Sequence, residues 1–108
     1  MAKPNKKRIE KEIKDLTEIK PKVRHFSMFG DDNHKCIEAQ IEVLTNNLSD
    51  EQIDDKWGGE VCDESAPALS LYDNATEARA WLDGESELKT LVEDWRSLIY
   101  EFNFIKKE

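Results

Sequence analysis

The chain holds two histidines, His25 and His34, and two cysteines, Cys36 and Cys62. A zinc site or a nucleophile–base pair would have to draw on these four residues or on carboxylates. Zinc pairs need spacings such as C-x-x-C or H-x-x-x-H, and neither occurs. His34 and Cys36 stand two apart, so on a helix they point to different faces. There is no G-x-S-x-G, no H-E-x-x-H and no glycine-rich phosphate loop. Acids stand side by side at Asp31–Asp32, Asp54–Asp55 and Asp63–Glu64, but adjacent helical positions diverge, and 24 acids in 108 residues meet often by composition alone. The expectation is a non-enzymatic protein without catalytic residues, cofactor or metal. The cysteines then serve as small buried hydrophobes, and the histidines as polar loop and cap residues.

What remains is charge. The formal net charge is −8, and it is unevenly spread. Residues 1–25 carry nine Lys or Arg against four acids, while the rest of the chain carries seven against twenty. From Asp50 to Glu77 nine acids face a single base, Lys56. Such a face suits salt-sensitive association with a basic protein surface. The candidate protein-binding residues are Asp50, Glu51, Asp54, Asp55, Glu60, Asp63 and Glu64, with the loop aromatics Phe26 and Phe29. The alternative is a nucleic-acid-associated accessory factor gripping phosphates through Lys6, Lys7 and Arg8. Against it, Glu10, Glu12, Asp15 and Glu18 dilute that basic cluster, the later helices are acidic, and an acidic body repels phosphate. A third class, an enzyme, would need a pocket built around His25 or His34.

Basic and polar residues occupy the start of the chain, where a secretory signal would be apolar, and no stretch approaches the roughly 20 apolar residues of a membrane span. The expected setting is cytoplasmic, with both cysteines reduced and no membrane partner. Three tryptophans supply core bulk that a disordered chain of this polarity lacks. The length predicts a single helical domain over 1–108, monomeric or homodimeric.

The elements follow from spacing. Ile9, Ile13, Leu16 and Ile19 form one stripe of a first helix, with Pro4 in its first turn and Lys20–Pro21 ending it. Glu10–Lys14 is a favourably oriented i, i+4 pair. An ordered loop near residues 22–32 follows, its Val23, Phe26, Met28 and Phe29 expected under the helices. Asp31, Asp32 or Asn33 caps a second helix to about Asn47, with Ile37, Ile41, Leu44 and Leu48 inward. Ser49-x-x-Gln52 is a capping box opening a short helix through Trp57. A fourth helix, with Pro67 in its first turn, runs to about Asp83. Its stripe is Leu71, Ala75, Ala78 and Leu82, and a second capping signal at Asn74–Glu77 allows a break near Asp73. A last helix from about Ser86 to Phe102 carries the densest set of large apolar residues, Leu88, Leu91, Val92, Trp95, Leu98, Ile99 and Phe102. The core is expected around it. The fold class is all-α, a compact bundle of about four main helices plus one short one.

The run Lys6-Lys7-Arg8-Ile9-Glu10-Lys11-Glu12-Ile13, then Lys20-Pro21-Lys22-Val23-Arg24, then Phe29-Gly30-Asp31-Asp32-Asn33-His34 with Ile37 to Leu44, resembles small uncharacterised proteins of bacteria and their phages or plasmids. Trp57-Gly58 and Trp81-Leu82-Asp83-Gly84 are later echoes. The resemblance implies a cytoplasmic bacterial or mobile-element setting. It carries no functional residue onto this chain.

Overall fold

A computed structural model describes residues 3–26, 32–58, 66–85, 90–97 and 99, with 66–70 given by their backbone alone. The fold is all-α. Helix α1 spans Lys6–Ile19, and Pro21 sits in the 3₁₀ turn Lys20–Lys22 that follows it. Pro4 lies outside α1 rather than in its first turn, because the side chain of Asn5 caps the helix by accepting the Arg8 N–H. The i, i+4 ion pair seen on α1 is Lys11–Asp15, at 2.8 Å. Helix α2, Asn33–Asn46, is capped by Asp32 and ends at Asn47, whose φ of 52° is left-handed. Helix α3, Asp50–Trp57, opens on the complete Ser49–Gln52 capping box. Helix α4, Ala66–Leu82, is continuous. The second capping signal inside it stays unused, since the Asn74 side-chain oxygen accepts a hydrogen bond from Gln40 instead. Gly84, at φ 74°, follows its end. Residues 91–97 form α5.

Helix α5 begins later than the apolar spacing suggests. Thr90 is not helical, and its hydroxyl accepts the Glu93 N–H as a cap does. The expected cap Ser86, and the stripe members Leu88, Leu98 and Phe102, lie outside the described residues. Among the described residues, α2 contributes the most to the core; much of the last helix lies outside them. Helix α2 packs on both α1 and α4, while α3 packs on α4. Cys36, Ile37, Ala39, Val43 and Leu44 are buried along it, together with the polar Asn33 and Gln40. A helix in the middle of a bundle buries more than one face, so its apolar residues do not form a single stripe. Helix α4 offers Ala75 and Ala78, both fully buried, so that α2 can approach closely, and Trp81 and Leu82 fill the flank. Leu91, Val92 and Trp95 complete the core from α5.

Two buried polar side chains hold these helices in register. Gln40, 3% exposed, accepts a hydrogen bond from the Trp95 indole N–H at 2.8 Å and donates to Asn74 at 3.2 Å. Glu12, 3% exposed, accepts the Val92 N–H at 2.8 Å and so ties α1 to the first turn of α5. Burial raises the Glu12 carboxyl above its ordinary value. The N–H groups of Val92 and Leu91 and the charge of Arg8 oppose that rise, and Asp15 adds to it. At the far end of α4, Arg79 binds Asp83 through two nitrogens and reaches Asn47 and the Leu48 carbonyl, each at 2.8 Å. It thereby pins the turn between α2 and α3.

Replacing Gln40 with Leu leaves the Trp95 N–H buried without an acceptor. Urea denaturation of Gln40→Leu should show a loss of about 1–3 kcal/mol. For Glu12, a folded pKa above 4.5 means that its contribution is fullest below that pH and falls as pH rises through the folded value. Glu12→Gln, which keeps an acceptor, should remove this part of the pH dependence in stability curves. Glu12→Ala, which orphans the Val92 N–H, should cost about 1–3 kcal/mol at acidic pH.

Candidate protein-binding surface

The capping box that starts α3 places Asp50 and Glu51 in its first turn, where the positive end of the helix dipole favours them. Asp50, Glu51, Asp54 and Asp55 are all exposed. Helix α4 runs alongside and adds exposed Asp73 and Glu77. The two helices meet at Tyr72, whose hydroxyl donates to Asp54 Oδ1 at 2.7 Å. Gly58 permits this approach: a Cβ there would stand 3.2 Å from the Tyr72 ring and 3.3 Å from Asp54 Oδ1. The hydrogen bond to Asp54 is the main reason that the Tyr72 phenol ionises above its ordinary value of 10.0. Desolvation and the charges of Asp54, Asp50 and Asp73 push it the same way. These carboxylates therefore share one surface around Tyr72.

The single base of the acidic run is drawn off this surface. Lys56 pairs with Glu42 of α2 and lies 5.3 Å from the Trp57 ring centre. Among the described residues, Asp50, Glu51, Asp54, Asp55, Asp73 and Glu77 are in no ion pair. Tyr72 was not among the residues singled out from the sequence. Its position in α4 gives no sign of Asp54, because the contact exists only once α3 folds back on α4. Glu60, Asp63 and Glu64 lie outside the described residues, as does Phe29.

Phe26 belongs to a different place. It precedes α2, whereas α3 follows α2, and 14 residues at 1.5 Å each separate it from the start of α3 by about 20 Å. Phe26 is not tucked under the helices as its apolar character suggested; it is 52% exposed, while Val23 takes the buried position. The reason is a tight knot at the start of α2. The His25 carbonyl accepts the Asn33 N–H, the Arg24 carbonyl accepts from the Asn33 side chain, and Phe26 bridges to Asp32. His34 holds the Val23 carbonyl at 2.8 Å. His25 lies 3.2 Å from Asp32, whose carboxyl is lowered overall. Burial alone would raise it, but the Lys35 N–H and His25 outweigh that effect.

Lys6, Lys7 and Arg8 are exposed at the start of α1. Lys7 and Arg8 line a shallow groove with Lys11 and Arg96, but Glu12, Asp15 and Glu93 line it too. The basic cluster thus faces a surface of mixed sign. Among the described residues no three His, Cys, Asp or Glu side chains are placed to hold a metal ion. Cys36 is buried and Cys62 lies outside the described residues. No described helix is long and apolar enough to cross a membrane. No family model, curated protein or solved structure matches the chain.

Because Tyr72 ionises late, the bond to Asp54 persists below pH 10 and is lost as pH rises beyond it. In a titration followed by NMR of the tyrosine rings, Asp54→Ala should bring the Tyr72 midpoint back down towards its ordinary value. An unmoved midpoint would mean that the two residues do not touch in solution.

Proposed function

We propose that this is a small, non-enzymatic helical protein that acts by binding another protein through the acidic face of α3 and α4. The observation that carries the reading is the convergence of Asp50, Asp54 and Asp73 around Tyr72 with Lys56 diverted to Glu42. Carboxylates left without counterions on a rigid two-helix surface are poised for a basic partner, and they steer its approach over a Debye length. Glu51, Asp55 and Glu77 extend the same sign of charge, as do Glu60, Asp63 and Glu64 in the sequence. The mixed charge of the groove at Lys7 and Arg8 makes the nucleic-acid reading of Lys6, Lys7 and Arg8 the weaker one. The cytoplasmic, bacterial or mobile-element setting suggested by the sequence resemblance is part of the same proposal.

Neutralising the face tests it. Wild type and the variant Asp50→Asn, Glu51→Gln, Asp54→Asn, Asp55→Asn would be used to capture proteins from nuclease-treated host lysate. A basic protein retained by wild type at about 0.05 M salt, released near 0.5 M and absent from the variant is the expected result. Equal capture by both proteins would reject the acidic face as the contact.

A further inference from the structure

Phe26, His25 and His34 form a column of three stacked rings. His25 is the middle ring, 4.3 Å from Phe26 and 4.4 Å from His34 between centroids, with interplanar angles of 15° and 14°. Each inner ring is held by a polar contact: His34 by the Val23 carbonyl and His25 by Asp32. Asp32 is itself fixed as the cap of α2 through the Lys35 N–H. The column is therefore rigid at its base, and its outermost ring is Phe26. One face of that ring is covered by His25, yet the residue is 52% exposed, the only large apolar residue so exposed among those described. A surface Phe that served only the core would be turned inwards, as Val23 is.

We infer that the outer face of Phe26 is a stacking platform for a base of single-stranded nucleic acid. Stacking a flat ring on a preordered ring costs little ordering entropy, and every nucleobase offers such a face. The surroundings favour a ligand that carries phosphate. Lys22 and Lys35, the chain neighbours of Val23 and His34, are exposed; Asp32 faces His25, and the neighbouring Glu38 is taken up by Lys20 at 2.8 Å. The site stands at the start of α2, and Asp50 and Glu51 open α3 past its other end, about 20 Å away along the helix. The inference is independent of the acidic-face reading, and it uses none of Lys6, Lys7 and Arg8.

Fluorescence anisotropy with labelled oligo(dT) and oligo(U) of about twelve nucleotides tests it, since a single site spans about 4–16. Wild type should bind at low salt, and the DNA and RNA arms show which backbone it takes. Phe26→Ala should weaken binding about tenfold or more, and Phe26→Trp should restore it. Circular dichroism should show both variants folded, because the ring is exposed. Lys22→Ala with Lys35→Ala should reduce the salt slope, while Lys6→Ala with Lys7→Ala and Arg8→Ala should leave affinity unchanged. No binding by wild type to either oligonucleotide, or equal binding by Phe26→Ala, would overturn the inference. So would loss of a captured protein, rather than of an oligonucleotide, on replacing Phe26, because that outcome makes the ring a protein anchor.

Discussion

The bundle depends on one buried amide. Gln40 sits on the inner side of α2, accepting from Trp95 of α5 with its oxygen and donating to Asn74 of α4 with its nitrogen. A buried amide is costly unless both ends are satisfied, and only one relative placement of the three helices satisfies both. Apolar contacts among Ile37, Val43, Ala75, Ala78 and Trp95 supply most of the attraction but tolerate sliding; the amide does not. Glu12 plays a similar part between α1 and α5, with the difference that burial raises its carboxyl while the N–H groups at the start of a helix only partly oppose that rise. Together the two residues account for how so polar a chain defines one arrangement of helices from a modest core.

The same arrangement separates charge. Helix α2 acts as a spacer, with the aromatic knot at its start and α3 just past its end. Exposed Lys22 and Lys35 adjoin the knot in the chain, with Asp32 inside it, and exposed acids line α3 and part of α4. Local pairing trims each end: Lys20 takes up Glu38 near the first, and Glu42 takes up Lys56 near the second. Each pair removes the charge that would have diluted its surroundings.

Much of the local structure was legible because its causes are local. The Ser49–Gln52 box, the proline after Lys20, the Asp32 cap and the Asn47 terminus each act within four residues of themselves, and all stand where their chemistry puts them. Signals of equal local strength misled where a distant partner intervened. Asn74 resembles a cap but is claimed by Gln40, 34 residues away. Phe26 looks like core but is turned outwards by the backbone bonds of the knot.

The amino-acid order by itself determined the all-α class, the ends of most helices and the stock of unbalanced carboxylates, because helix caps, turns and net charge depend on residue type and short spacing. Tertiary structure alone decided that Glu12 and Gln40 are buried, that Tyr72 meets Asp54, and that three rings stack at the start of α2. Those contacts join residues that are distant in the chain or turned towards one another by a specific backbone path, and a buried polar group declares its partner only when packing has removed water from both.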